Sequence, residues 1–342
     1  MNIARFFLHS TLLAGVVLVG AASPTAAQTV AQFDEVPSGV AVSNNGLSGV
    51  GLENSRGAVV VTQNNSRLAF NLGCAVSGVE SDPSGTWAWT ICRDNSYIGV
   101  VALATGQTSI ADIGVTNAFR IEYSPTNPMI VILGAAGDLT TVSATSINDY
   151  GVMKRIAIGE TASALAVSPN GRTAYVATDS GKLATVDLRS GSLRKFMVPS
   201  TRGTTMYVSG VTTDPRGRNL FLVGIEVDQK TKKVNHVVLS MSASTRQVTS
   251  RQVLAVTVAD ATPMAVEMGR NTVYVGAGSP IKLSTGQTGL VQLAVSPRGV
   301  LGTPKPVLAT PVIVGSLDLS ADGKILAVAT TNGELIRVAT NT

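Results

Sequence analysis

Charge, histidine and cysteine are all scarce in this chain. Only 14% of its 342 residues are charged, against roughly a quarter in an ordinary globular domain, and it carries 2 histidines and 2 cysteines. So small a stock cannot build the usual zinc or haem site, and no Cys-x-x-Cys-His run offers covalent haem attachment. A Gly-x-Ser-x-Gly elbow and a phosphate-cradling Walker loop are also missing. These absences remove most hydrolase, metalloenzyme and nucleotide-binding readings, and no cofactor is expected. No long helical period appears. Mean hydropathy is positive, +0.29, yet no stretch after residue 30 approaches the ~18 apolar residues that a spanning helix needs. Composition also excludes intrinsic disorder, collagen and coiled coil. What is abundant is glycine, 34 residues, which points to a β protein with many turns.

The N-terminus reads as a secretory signal. Arg5 is basic, Leu12 to Ala22 is an unbroken run of small and apolar residues, and Ser23 to Ala27 leads to a cleavage site before Gln28. The apolar core is too short for a membrane anchor, and no cysteine follows it to carry a lipid. Residues 1–27 are therefore expected to be a signal peptide, and the remainder a soluble periplasmic or secreted protein. Without Arg5 the balance is 25 basic to 21 acidic residues, which gives no electrostatic argument for nucleic acid.

Repetition dominates the rest. Leu165 to Val167 alternates, Ser168-Pro169-Asn170-Gly171 turns, Thr173 to Thr178 alternates again, and Lys182 to Leu188 follows before Arg189-Ser190-Gly191. Proline presets the turn, Asn or Gly tolerates positive φ, and β-branched residues suit the pleated flanks. Related units occur at Val79 to Gly85, Ile121 to Pro125, Val211 to Gly217 and Leu317 to Gly323. Two degenerate copies start at Val50 and Met264. The 315 residues that remain of 342 after the first 27 give 45 to each of seven copies, within the ~40–50 residues of a propeller blade. The last copy stops after a third strand at Arg337 to Thr340, so the span Thr29 to Ser43 is expected to supply the missing outer strand and clasp the ring.

The Ser168-Pro169-Asn170-Gly171 turn, the Tyr175-Val176 strand and the Asp187-Leu188-Arg189-Ser190-Gly191 end resemble the YVTN-type, WD40-like β-propeller repeat family. That resemblance implies a seven-bladed all-β propeller over 28–342, extracytoplasmic in many members, with relatives that bind ligands or partners and others grouped with lactonases. The chain departs from the WD40 pattern, because neither Trp87 nor Trp89 is followed by Asp, and from the sialidase Asp box, because Pro83 stands where the box wants Asp. Its poverty in histidine departs from a lactonase site as well.

Among individual residues, His236 falls in the insertion beginning Lys230-Thr231-Lys232-Lys233 and is expected at a solvated hairpin tip. Cys74 and Cys92 flank one turn. If Ser81 faces Thr86, Cys92 stands opposite residue 75 and a one-residue shift gives 74, so a disulfide is expected in an oxidising compartment. Two buried reduced thiols are the alternative.

Aligning the inner strands gives an apolar column (Val50, Val79, Ile121, Leu165, Val211, Met264, Leu317) and beside it Gly51, Glu80, Glu122, Ala166, Thr212, Ala265 and Asp318. Three carboxylates thus fall on one side of a ring. Carboxylates are rarely buried unpaired, so they are expected to line a hydrated channel with Arg120 as local partner. The loops between second and third strands, including Arg93-Asp94-Asn95 and Glu226-Val227-Asp228, should form an acidic, amide-rich rim.

The candidate ligand-binding set is therefore Glu80, Arg120, Glu122, Asp318, Arg93 and Asp94, with no catalytic residue assigned and the metal question open. The favoured reading is a monomeric, non-enzymatic binding or scaffold propeller whose partner is an unidentified protein or small molecule. The alternative is an enzyme using channel carboxylates, such as a lactonase-like or sugar-acting one.

Overall fold

The computed structural model describes residues 27–340 except 53, 63, 125, 146–150, 257–263 and 309–311. Apart from Ala27, the expected signal peptide lies outside the described residues. Among those residues every regular element is a strand, and no helix is long and apolar enough to cross a membrane.

The strands come in groups of four. After β1 (Ala27–Gln32) the first group is β2 (Gly39–Val42), β3 (Ser48–Leu52), β4 (Gly57–Val61) and β5 (Arg67–Asn71). The second is β6 (Val76–Ser81), β7 (Trp87–Cys92), β8 (Tyr97–Ala102) and β9 (Thr108–Asp112). The third is β10 (Ala118–Tyr123), β11 (Met129–Gly134), β12 (Asp138–Ser143) and β13 (Val152–Ala157). The fourth is β14 (Ala162–Val167), β15 (Thr173–Thr178), β16 (Lys182–Asp187) and β17 (Leu193–Met197). Then follow β18 (Thr204–Thr213), β19 (Asn219–Asp228), β20 (Val234–Ser242) and β21 (Val248–Val256). After these come β22 (Met264–Met268), β23 (Thr272–Leu283), β24 (Gly286–Ala294) and β25 (Lys305–Pro306). The last three are β26 (Val314–Leu319), β27 (Ile325–Thr330) and β28 (Glu334–Ala339).

Groups one to four each form a four-stranded antiparallel meander. The fifth and sixth join through a short pairing of Ala255 and Val256 with Lys282 and Ile281, so they count as one eight-stranded sheet. The last sheet runs β1-β28-β27-β26: β1 supplies its outer strand, from Ala27 opposite Val338 to Gln32 opposite Glu334. First strands neighbour one another in the circuit β2, β6, β10, β14, β18, β22, β26 and back to β2.

The Ser-Pro-Asn-Gly hairpin shows why these residues turn. Gly171 donates its N–H to the Ser168 carbonyl at 2.8 Å and adopts φ +64°, a region that favours glycine. A Cβ there would also collide with Ser124 Oγ. Between sheets, apolar faces interleave: Trp89, Ile91 and Ile98 pack against Ile121, Ile130 and Ile132, each fully buried side chain stabilising by roughly 1.5–3 kcal/mol.

The first group corrects the alignment of the degenerate copy at Val50. That segment is β3, the second strand, and the inner strand is β2. The span Thr29 to Ser43 therefore divides between two sheets: β1 completes the last and β2 opens the first. The same turn follows Gly39–Val42 as Ser43-Asn44-Asn45-Gly46, with Asn44 in place of proline and Gly46 donating to the Ser43 carbonyl at 2.9 Å with φ +77°.

A second feature has no sequence signature. The pairing of five first strands with their second strands slips between Val76 and Gly78, Ala118 and Arg120, Ala162 and Ala164, Val208 and Gly210, and Val314 and Ser316. The residue passed over is Ser77, Phe119, Ser163, Ser209 or Gly315. A bulge redirects a side chain out of the ladder, and here the serines reach the next sheet. Ser77 Oγ donates to the Ala118 carbonyl at 2.5 Å, Ser163 to Val208 at 2.8 Å and Ser209 to Met264 at 3.1 Å, while Ser38 serves Val76 in the same way at 2.5 Å. These bonds tie neighbouring first strands around the channel.

The expected cysteine pair is present as a disulfide, with Cα atoms 5.7 Å apart. Its register differs from the expectation: Ser81 faces Ala88 rather than Thr86, and the bulge at Ser77 brings Val76 opposite Cys92. His236 is not at a hairpin tip. It lies inside β20, paired with Ile225 and Leu254 and only 4% exposed, because toward the turn after Asp228 β20 extends two residues beyond it and β19 three beyond its partner Ile225.

Candidate functional site

The inner strands surround a cavity of about 280 Å³, lined by Glu80, Arg120, Glu122, Glu267 and Asp318 among others. Their positions follow from the ladders. Glu80 stands opposite Trp89, Glu122 opposite Val131, Glu267 opposite Tyr274 and Asp318 opposite Ala327. These are equivalent positions near the ends of four first strands, and strict alternation turns each away from the apolar residue before it.

Glu267 is the member that sequence alignment missed. The column was read with Ala265 at this position, but the hairpin from Met268 to Val273 is two residues shorter than the one from Val167 to Ala174. The ladder therefore advances by two, which preserves the face and replaces Ala265 by Glu267. The signal available in the sequence was Tyr274, which occupies the position opposite the column just as Tyr175 does opposite Ala166.

The carboxyl groups are half-exposed to the channel yet ringed by protein, so water reaches them without solvating them as bulk water would. Loss of hydration is the largest effect on every one, and it favours the neutral acid. Glu80 is held well above the usual carboxylate range by this desolvation and then by the charges of Asp318, Glu122 and Glu267. Glu267 is raised in the same way. Desolvation and the Asp318 charge push Glu122 up to about 8, with Arg120 opposing. Asp318 rises to about 7, restrained by hydrogen bonds from the backbone N–H groups of Val42 and Leu319. Four interacting acids share their protons as a set. The channel thus keeps neutral carboxyl groups, which can donate as well as accept, beside ionised ones at neutral pH.

Two of these groups also serve the free edges of inner strands. Asp318 Oδ2 accepts from the Val42 N–H at 2.5 Å, linking the last sheet to β2, and Glu80 Oε1 accepts from Ser81 N–H at 3.0 Å. Arg120 shares the face of Glu122 on β10. Its guanidinium lies 5.4 Å from the centre of the Phe119 ring and donates from Nη1 to the Phe119 carbonyl at 3.3 Å. It forms no ion pair among the described residues, and its charge acts on Glu122 two residues along the same strand.

Of the six residues expected to bind, the structure brings Glu80, Arg120, Glu122 and Asp318 together and sets Arg93 and Asp94 apart. These two follow β7 at the opposite end of the inner strands. The Arg93 N–H donates to the Ala75 carbonyl at 2.8 Å, while Asp94 pairs with Arg56 of the first sheet at 2.8 Å and accepts from Ala75 N–H at 3.1 Å. Glu226 of the expected rim is also engaged internally: it is 1% exposed and held by Arg251 through Nε at 3.1 Å and Nη2 at 2.5 Å.

Chemically, the channel offers several acids, one guanidinium and flanking serine hydroxyls. Among the described residues no three His, Cys, Asp or Glu side chains converge as a metal would require. The arrangement suits a polar ligand bearing hydrogen-bond donors, with charge adjusted by proton uptake.

No protein-family model matches the chain, and no curated protein matches it. Solved structures do share its fold. A chain of "Crystal Structure of Mitotic Checkpoint Complex" is similar at 13% identity with a TM-score of 0.68, covering 100% of this chain and 99% of that one. Virginiamycin B lyase from Staphylococcus aureus is similar at 12% identity with a TM-score of 0.65, covering 92% of this chain and 99% of the lyase. The fold is a β-propeller.

Proposed function

We propose that this chain is an exported, seven-bladed propeller of the YVTN type that binds a polar ligand in its channel without transforming it. The convergence of Glu80, Glu122, Glu267 and Asp318 around one cavity, with Arg120 as the only guanidinium lining it among the described residues, carries the reading. Seven blades are supported by the circuit of first strands from β2 to β26, and export by the signal-like residues 1–27 and by a disulfide suited to an oxidising compartment. The protein acts as a monomer in the periplasm or outside the cell, with no nucleic acid and no membrane insertion once the signal is removed.

The ligand is an amine, a polyol or a peptide segment presenting N–H groups, since carboxylates and serine hydroxyls reward donors. A protein partner is consistent with the first neighbour, whose printed title is that of a complex. The second reading is an enzyme. It draws on the lyase neighbour and on Glu122, whose pKa of about 8 suits proton transfer near neutrality.

A thermal-shift screen of the purified protein against polyamines, sugars and lactones distinguishes these readings. A binder shows stabilisation that Glu80→Gln and Glu122→Gln abolish, with no turnover of any hit. Stabilisation unchanged in both variants would place the ligand elsewhere, and turnover lost in the variants would establish the enzyme.

A further inference from the structure

A second cleft, of about 240 Å³, opens at the turn end of β18–β19 and β22–β23, bounded on its far side by Val295-Ser296-Pro297 after β24. Arg216, Arg218 and Arg270 line it. All three are exposed, and none makes an ion pair or side-chain hydrogen bond among the described residues. Three guanidiniums sharing one cleft repel one another and find no internal counter-charge.

The one acid in the cleft is already committed. Asp214 is buried, at 7% exposure, and closes its own hairpin: Oδ1 accepts from the Arg218 N–H at 2.6 Å and Oδ2 from Asn219 Nδ2 at 3.0 Å. Other turns of the ring are built differently. At the position of Arg216 they carry Ser84, Asn170 or Asp322, and the hairpin after β26 neutralises its own cation by pairing Lys324 with Asp322 at 2.9 Å. The basic cleft is therefore specific to this pair of hairpins and is not a demand of the repeat. Met268, Val295 and Pro297 give it partly apolar walls, which strengthen charge interactions by lowering the local dielectric.

From this arrangement we infer that the cleft between the β18–β19 and β22–β23 hairpins binds a small ligand carrying at least two negative charges on phosphate or carboxylate oxygens. The guanidinium fork matches the paired oxygens of either group and makes shorter, stronger hydrogen bonds to them than to neutral acceptors. A cleft of this volume admits a group the size of diphosphate or citrate, with an apolar portion resting on Met268. The site lies outside the channel and does not depend on the function proposed for it.

The test is isothermal titration of the purified protein with pyrophosphate and with citrate, at ionic strength fixed by sodium chloride. At least one probe should bind, and Arg216→Gln, Arg218→Gln and Arg270→Gln should each weaken it by about fivefold or more. Arg172→Gln, on a turn outside the cleft, should leave binding within about twofold, which separates a site from general basicity. Preference for pyrophosphate over citrate would identify a phosphate ligand, and the reverse a carboxylate. All four arginines are exposed, so the variants should unfold at the wild-type temperature. Absence of binding by both probes, or binding that survives the triple glutamine variant, would overturn the assignment.

Discussion

Replacing Glu122 by Gln should stabilise the protein at alkaline pH and change little in acid. Folding raises the pKa of Glu122 from 4.5 to about 8, so between those values the native state binds more protons than the unfolded one. Stability must then fall as pH rises through that window and level off above it. Each pKa unit is worth about 1.4 kcal/mol, so the full shift sets a ceiling of about 5 kcal/mol. Channel water screens the side chain and leaves an effective contribution of about 1–3 kcal/mol. For a chain of this size that is a difference of about 1.5–4.5 °C in unfolding temperature. Calorimetric unfolding of wild type and Glu122→Gln at about pH 5, 7 and 8.5 measures it, and the subtraction cancels every other group that titrates identically in both. The variant should match wild type in acid and exceed it progressively toward pH 8.5. A variant destabilised at every pH would mean that Glu122 is ionised and held by Arg120. A difference that does not vary with pH would refute the desolvation argument itself.

Two further outcomes follow from the architecture. Converting Cys74 and Cys92 to Ser opens an 18-residue loop and should lower stability by about 3 kcal/mol in the chain-entropy model; an unchanged guanidinium midpoint would show that the bridge constrains nothing. Deleting 27–32 removes β1 with the buried side chains of Val30 and Ala31 and strips β28 of its partner, so a loss of at least about 3 kcal/mol and concentration-dependent self-association are expected, read by thermal unfolding and size-exclusion chromatography. Unfolding at the wild-type temperature would contradict this view of how the last sheet is completed.

Much of this architecture could be read from turns. Gly85, Gly171, Gly217 and Gly323 all adopt positive φ at the same place in their hairpins, and a backbone constraint that admits few residues leaves a visible mark in sequence. Where the constraint relaxes, the reading failed. The hairpin after β22 closes with two residues fewer and hid Glu267, while the turn after β2 keeps its positive-φ glycine, Gly46, but has Asn44 where four other copies have proline, and β2 was merged with the closing strand. Bulges are worse still, because Ser77, Ser163 and Ser209 look like ordinary strand residues until the neighbouring sheet is placed beside them. The channel acids were three-quarters legible, since side-chain alternation is a local property. Arg93 and Asp94 are set apart because they follow β7 at the end where β6 begins, far from Glu80 near its other end, whereas the pairing of Asp94 with Arg56 of another sheet had no local trace. His236 was misplaced because its lysine-rich surroundings described the exposed turn, while the strands run past it and bury it.

The pairing of β1 with β28 joins residues near 30 to residues near 336, almost the greatest separation that the chain allows. Every other ladder joins strands close in sequence and can zip as its hairpin is made, but this one must wait for β28. Contacts so distant in sequence form slowly, because the intervening chain must first lose its freedom. Until then β1 is the earliest-made of the described strands and has no partner, leaving an edge with Val30 and Ala31 open to a chaperone or to the wrong molecule. Closure of the last sheet therefore requires synthesis through β28, and only then can β1 be hidden.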